Sequence, residues 1–139
     1  MTGRRFAGVP GSVALVRAWT RNELHQRGTD LGTVEEAALV VSELATNAIR
    51  HSRSGHPGGS FLVELDIRPS MVRISVIDQG TDGKSVPMWG KKTDPLTEHG
   101  HGLNLVASLV ERWTTITNNG HCTVTTDLPT LVPTAGGRR

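Results

Sequence analysis

The chain has one cysteine, Cys122, and no tyrosine, and its 139 residues include only two phenylalanines and three tryptophans. A lone thiol builds neither a disulfide framework nor a cysteine metal site, and it points to a reducing compartment, the cytoplasm. So few aromatic rings make stacking platforms for single-stranded nucleic acid scarce. Charge of one sign is scarce as well. Fifteen Lys and Arg stand against thirteen Asp and Glu, a formal net charge of +2, and Arg4, Arg5, Arg138 and Arg139 lie at the termini. That balance makes no nucleic-acid face. No apolar run approaches the roughly 20 residues of a membrane span. The short apolar stretch after Arg4-Arg5 is interrupted by Pro10, Gly11 and Arg17, so it does not read as a signal peptide. His25, His56, His99, His101 and His121 are scattered, without metal-ligand spacing.

What is present is enough periodic sequence for one compact domain, expected over residues 1–128, with a flexible Pro- and Gly-containing tail at 129–139. A chain of this length can remove about two-thirds of its unfolded surface from water. Val13 to Gln26 predicts a first helix. Thr33-Val34-Glu35-Glu36 reads as a capping box, Thr33 capping and Glu36 reaching back, ahead of a second helix running to His51 or Ser52. At about 100° per residue, Ala37, Val41, Leu44, Ala45 and Ala48 fall on one apolar stripe. Ser60 to Ile67 alternates, and Met71 to Ile77 is almost wholly apolar or β-branched, so both predict strands. Thr114–Asn118 and Cys122–Leu128 flank Asn119-Gly120, a strong hairpin signal. The expected order is helix, helix, strand, strand, long loop, helix, strand, strand. It predicts an α+β fold of two layers, with helices on one face of a mostly antiparallel, mixed sheet.

Three short motifs stand out against this frame. Glu43, Asn47, Arg50 and His51 cluster on the helix stripe opposite the apolar one, with Glu43–Asn47 and Asn47–His51 each four apart and therefore neighbours. A carboxylate beside a neutral amide can divide two tasks. Glu43 can take a proton from a nucleophile. Asn47 can give Mg²⁺ a hard oxygen while phosphates and water fill the other positions. Arg50 and His51 can meet phosphate oxygens. The second motif, Asp78-Gln79-Gly80, follows a strand. A carboxylate there can accept the exocyclic amine proton of adenine, and Gly80 lets the backbone approach a ring closely. The third, Gly100-His101-Gly102-Leu103, opens a helical run from Leu105 to Val110, where exposed N–H groups and the helix dipole suit phosphate. Between the second and third, Thr81 to His99 lacks apolar periodicity, and a loop of that length in a compact domain fits a lid. Alone, each motif also fits a solvated helix face, an ordinary turn or a Gly-rich helix start.

Together, Ser42-Glu43-Leu44-Ala45-Thr46-Asn47-Ala48-Ile49-Arg50-His51-Ser52, Asp78-Gln79-Gly80 and Gly100-His101-Gly102-Leu103-Asn104-Leu105-Val106 resemble the motifs of the gyrase, chaperone, histidine-kinase and mismatch-repair (GHKL) ATPase superfamily. Within it the chain is most similar to the small anti-sigma factors that are also serine-protein kinases, over about Val9 to Leu128. The resemblance implies a Bergerat-type ATP-binding fold, with ATP and Mg²⁺ as cofactors. It implies Glu43 as general base, Asn47 as magnesium ligand, Asp78 as adenine reader with Gly80, and Gly100 and Gly102 as the phosphate-side hinge beside His101 and Leu103. It further implies Thr123, in Cys122-Thr123-Val124, as a late-strand threonine helping to hold adenine. Two departures are visible: Thr125 replaces an aromatic common in relatives, and Met88-Trp89-Gly90-Lys91-Lys92 has no counterpart assigned in the family's lid.

The implied activity is transfer of the ATP γ-phosphoryl group to a small antagonist protein, controlling a sigma factor, with no direct nucleic-acid or membrane contact and with a homodimer as one possible assembly. The chain is too short to add the dimerising helical hairpin of a sensor histidine kinase. Two other classes share the motifs: a binding module that never turns ATP over, and a kinase of some unrelated regulator. The lid expectation has a direct test in hydrogen exchange, since unanchored segments open at near-zero free energy. Amides from about Gly83 to His101 are expected to exchange fast without nucleotide and slow markedly with Mg-ATP, and Gly102→Val should abolish the slowing. Equal protection in both conditions would refute gating.

Overall fold

A computed structural model of the chain describes residues 1–81 and 106–131. Two helices, α1 (Ser12–Gln26) and α2 (Leu31–His51), lie on one face of a five-stranded sheet. The strands are β1 (Thr2–Ala7), β2 (Ser60–Ile67), β3 (Met71–Asp78), β4 (Arg112–Asn118) and β5 (His121–Pro129), ordered β1-β2-β3-β5-β4. A further helical turn at 106–109 ends with the Val110 amide donating to the Val106 carbonyl. The two-layer α+β expectation holds. The sheet, however, is not mixed among the described residues, because every one of its pairings is antiparallel. Tight turns join β2 to β3 and β4 to β5, and a tight turn can only reverse the chain.

Alternation places the core. Phe61, Val63 and Leu65 on β2, Val72, Ile74 and Val76 on β3, and Cys122, Val124 and Leu128 on β5 are buried under the helices. From above, α2 contributes Val34, Ala37, Val40, Val41, Leu44, Ala45 and Ala48, and α1 contributes Val16 and Leu24. Three of the four aromatics among the described residues meet at one corner. Phe6 stacks on Phe61 and meets Trp19 edge-on, with centroids 5.9 Å apart in both pairs. The opposite sheet face is polar. Registered neighbours Asp66, Arg73, Asp127 and Arg112 form a row of alternating charge across the strands. Arg73 donates two bonds to Asp127, at 2.7 and 3.1 Å. That guanidinium holds the Asp127 carboxyl below its ordinary value.

The structure differs from the sequence expectations at three places. An N-terminal strand, β1, was not expected. It is an edge strand with Phe6 as its one buried residue, so it offers no apolar alternation. The α2 cap is Asp30, not Thr33. Asp30 has an extended backbone, and its carboxylate accepts from the Thr33 amide at 2.9 Å and the Thr33 hydroxyl at 2.6 Å. Thr33 already lies within the first turn, and its Oγ1 also accepts from the Leu131 amide at 2.9 Å. Finally, the start of the expected tail is tied down: Pro129 ends β5, and Thr130 bonds to the carbonyls of Ser70 and Pro69. Residues 132–139 lie outside the described residues, as do 82–105, which hold most of the expected lid and the Gly100–Leu103 motif.

No helix among the described residues is long and apolar enough to cross a membrane. The cap gives a stability prediction. Asp30→Ala is expected to cost about 1–2 kcal/mol, the upper part of the usual N-cap range because two bonds are lost. Urea unfolding checks it; a midpoint unchanged at constant slope would show that Asp30 is not the cap.

Candidate functional site

Asp78 is the last residue of β3 and the alternation that buries Val72, Ile74 and Val76 turns it towards the helices. It is 8% exposed. Its carboxylate accepts from the Gly80 amide at 2.7 Å and from the Cys122 backbone amide. Burial pushes the carboxyl above its ordinary value, and those two N–H donors, with the charge of His121, pull the other way without reversing it. A desolvated acceptor fixed by backbone is suited to reading a hydrogen-bond donor on a planar ligand.

The turn after Asp78 is built by close backbone contacts. Gly80 has φ of 77°, and a Cβ there would run into the Gly120 carbonyl oxygen. Only glycine fits the conformation and the space together. The end of α2 clamps the same turn. The Arg53 amide donates to the Gly80 carbonyl at 2.7 Å, Arg53 Nε donates to the Gln79 carbonyl at 3.2 Å, and the Gln79 amide donates to Ser54 Oγ at 2.9 Å. Ser52 caps a short 3₁₀ turn, Arg53–Gly55, that follows α2, its Oγ accepting from the Ser54 amide at 3.0 Å while donating to the Ala48 carbonyl at 2.7 Å. Gln79 Oε1 accepts from the Ser60 amide at 3.0 Å, which adds the start of β2.

The last turns of α2 and the Asp78-Gly80 turn thus meet at one end of the sheet. Glu43, Asn47 and His51 run along α2 at four-residue spacing, each half-buried, while Arg50 is exposed. Ser42, beside Glu43, is buried and bonds to the Ala38 carbonyl at 2.7 Å, so it serves the helix. The Gly100, His101, Gly102 and Leu103 positions lie outside the described residues.

Thr123 is not brought to this site. In the β3–β5 register Asp78 faces Cys122, and in β4–β5 Cys122 faces Thr117, so Asp78, Cys122 and Thr117 form one row on the helix side. Thr123 pairs with Ile77 on the polar face, next to Thr125, whose hydroxyl lies 3.0 Å from Ser75 Oγ. The β5 side chain beside Asp78 is therefore the buried Cys122, its thiol pushed up by burial and by the Asp78 charge. The signal for this was present: Cys122 shares the alternation of Val124 and Leu128, and a two-residue Asn-Gly turn aligns it with Thr117. Asn47 supplies one hard oxygen and no more. Among the described residues no group of three His, Cys, Asp or Glu could hold a metal ion. A cation at Asn47 must then bring most of its ligands with it, as Mg²⁺ does when it arrives on phosphates.

Residues 6–126 match the model of the histidine kinase-like ATPase domain. The chain is 28% identical over 124 residues to a serine-protein kinase RsbW of Staphylococcus aureus, covering 81% of this chain and 78% of that one. It is 24% identical over 119 residues to an anti-sigma F factor of Bacillus cytotoxicus, covering 82% and 81%. Among solved structures, it is similar to the RsbU and RsbW domains of a Mycobacterium tuberculosis protein, with TM-score 0.65 and 21% identity, over 96% of this chain and about a third (34%) of that longer one. It also resembles the catalytic domain of the histidine kinase ThkA, with TM-score 0.51, 15% identity, and coverage of 94% and 97%.

The raised Asp78 carboxyl has a measurable consequence. A carboxyl whose folded value exceeds its unfolded value contributes stability below the unfolded value and loses it as pH rises through the folded one. At neutral pH the buried charge is therefore a cost. Asp78→Asn, neutral at every pH, is expected to raise the thermal midpoint of the ligand-free protein near neutrality by a few degrees, an order consistent with about 1 kcal/mol in a domain of this size. The gain should shrink as pH falls through the acid range. Calorimetry across pH checks both, and a variant less stable than the parent at neutral pH would show that the two backbone bonds outweigh burial.

Proposed function

The chain belongs to the histidine kinase-like ATPase family, and we propose that it is an ATP-binding regulator of the anti-sigma factor and serine-protein kinase type. The observation that carries the proposal is Asp78: buried, held by two backbone amides, and set beside the end of the helix that bears Glu43, Asn47 and His51. Guanine presents a carbonyl where adenine presents an amine, so a carboxylate acceptor at that point selects adenine. Asn47 would hold Mg²⁺ through its amide oxygen, and the ion would supply charge neutralisation at the phosphates. Arg50 and His51 add positive charge and donors on the same helix end. The expected phosphate-side motif, Gly100, His101, Gly102 and Leu103, lies outside the described residues.

In the proposed reaction a serine or threonine hydroxyl of a small antagonist protein attacks the γ-phosphorus. The bond from that phosphorus to the bridging oxygen of ADP breaks, ADP leaves, and Glu43 accepts the hydroxyl proton. Such transfer is mostly positioning and charge stabilisation. The name of the similar anti-sigma F factor supports a sigma factor as the second partner; its release or retention according to nucleotide and antagonist state is part of the proposal. A homodimer and a cytoplasmic location belong to the same proposal.

Labelled ATP with candidate antagonists, together with calorimetry, tests it. Glu43→Ala is expected to keep ATP affinity and slow transfer by about 10²–10⁴-fold. Asn47→Ala should weaken binding of Mg-ATP and leave magnesium-free ATP nearly unaffected. Asp78→Ala should weaken ATP by roughly 10- to 150-fold, from a charge-assisted bond of about 1.5–3 kcal/mol. Tight ATP binding without transfer to any antagonist would replace the kinase with a binding module. Unchanged ATP affinity in Asp78→Ala would overturn the site.

A further inference from the structure

Ser54, a polar residue in the 3₁₀ turn beyond α2, is wholly buried. Two backbone segments close over it. A side chain at Gly8 or at Gly59 would run into the Ser54 carbonyl, so glycine at both positions lets the end of β1 and the approach to β2 pack against it. The Ser54 hydroxyl oxygen accepts from the Gln79 amide at 2.9 Å. That N–H belongs to the peptide immediately after Asp78, so holding it fixes how the backbone leaves Asp78. The Ser54 amide in turn donates to Ser52 Oγ at 3.0 Å, and Ser52 Oγ donates to the Ala48 carbonyl at 2.7 Å. A relay of three hydrogen bonds therefore starts one residue from Asn47 and ends one residue from Asp78.

We propose that Ser54 is a positioning residue, which holds the Asp78 turn in register with the end of α2 so that the base and the phosphates of one nucleotide bind together. The inference rests on the ATP reading of Asp78 and Asn47, and it adds the link between them. A ligand anchored at two ends binds more tightly than either end alone only when both half-sites can be engaged at once. Such sites need their groups held to within about 0.5 Å, which takes a supporting layer of packing and hydrogen bonds. Ser54 supplies that layer between helix and strand. Removing its hydroxyl breaks the relay in the middle and leaves both ends intact. In Ser54→Ala the Gln79 amide loses a buried acceptor, and the turn must shift to recover one. Asp78 keeps its bonds from the Gly80 and Cys122 amides, and α2 keeps Glu43 and Asn47. The bonds from Arg53 to the Gln79 and Gly80 carbonyls still hold the turn near the helix end. The defect is then one of relative placement, and neither half-site is itself damaged.

The test compares one whole ligand with its two halves on the full chain: Mg-ATP, adenosine, and tripolyphosphate with magnesium. Titrations followed by ¹H–¹⁵N shifts read weak binding, so the halves are measurable beside the whole. In Ser54→Ala, adenosine and tripolyphosphate are expected to bind within about twofold of the parent, while Mg-ATP weakens about tenfold or more. A merely structural role would not produce that split. Ser54→Cys keeps a weak acceptor at the same place and should fall between the parent and the alanine variant, and it carries the test if Ser54→Ala does not fold. Asp30→Ala removes the cap at the far end of α2 and controls for lost stability alone; all three affinities should stay at the parent values. Unchanged Mg-ATP affinity in a folded Ser54 variant, weakening of a half-ligand by as much as Mg-ATP, or the same split in Asp30→Ala overturns the inference and leaves Asp78 and Asn47 as ligand contacts. A parent chain that binds none of the three ligands overturns the nucleotide reading, and the role of Ser54 falls with it.

Discussion

The backbone clamp between Ser52–Ser54 and Gln79–Gly80 is the contact on which the arrangement of the site depends. A helix carries the metal and proton-transfer candidates, and a strand carries the base-reading candidate. Their relative position is not set by apolar packing alone, which tolerates small slides of a helix across a sheet. It is set by directional bonds from the helix end to both the carbonyl and the amide sides of the turn. Each is modest, about 0.5–1.5 kcal/mol net. Their collective effect is to make sliding cost several bonds at once.

The same turn shows how a polar site is kept within a small core. Asp78 is the one carboxylate at the end of an otherwise apolar inward row, and its partners are backbone groups rather than a cation. Arg73 and Asp127, on the other face, show the alternative, in which a half-exposed guanidinium neutralises the acid and lowers its proton affinity. One carboxylate is left poised for a ligand donor, while the other is consumed by structure. Sites commonly store this kind of unrelieved cost.

Elements with strong periodicity were legible in the sequence. The α2 apolar stripe, the β2 alternation and the Asn119-Gly120 hairpin each follow from one local rule, and the structure forms all three. The cap moved because an Asp-x-x-Thr pattern and a Thr-x-x-Glu pattern share Thr33, three residues out of step, and only the fold shows which donor is orphaned. β1 was invisible because an edge strand needs just one buried side chain, Phe6. Thr123 was placed by likeness to a motif, whereas the face a strand residue occupies is decided by counting from its buried neighbours. The Arg53–Ser54 clamp could not be read at all, since Arg53 Nε and Ser54 Oγ find their partners 26 and 25 residues away on backbone atoms that every sequence possesses.

Thr33 fastens the last described residue to the start of α2, its hydroxyl giving to Asp30 and receiving from Leu131. Leu131 is therefore held at the first turn of α2. With 21 residues in that helix, and about 1.5 Å of rise per residue, that anchor lies roughly 30 Å along the axis from His51. A label attached at Leu131 would sit at the pole opposite the Asp78 turn and leave the working end unobstructed.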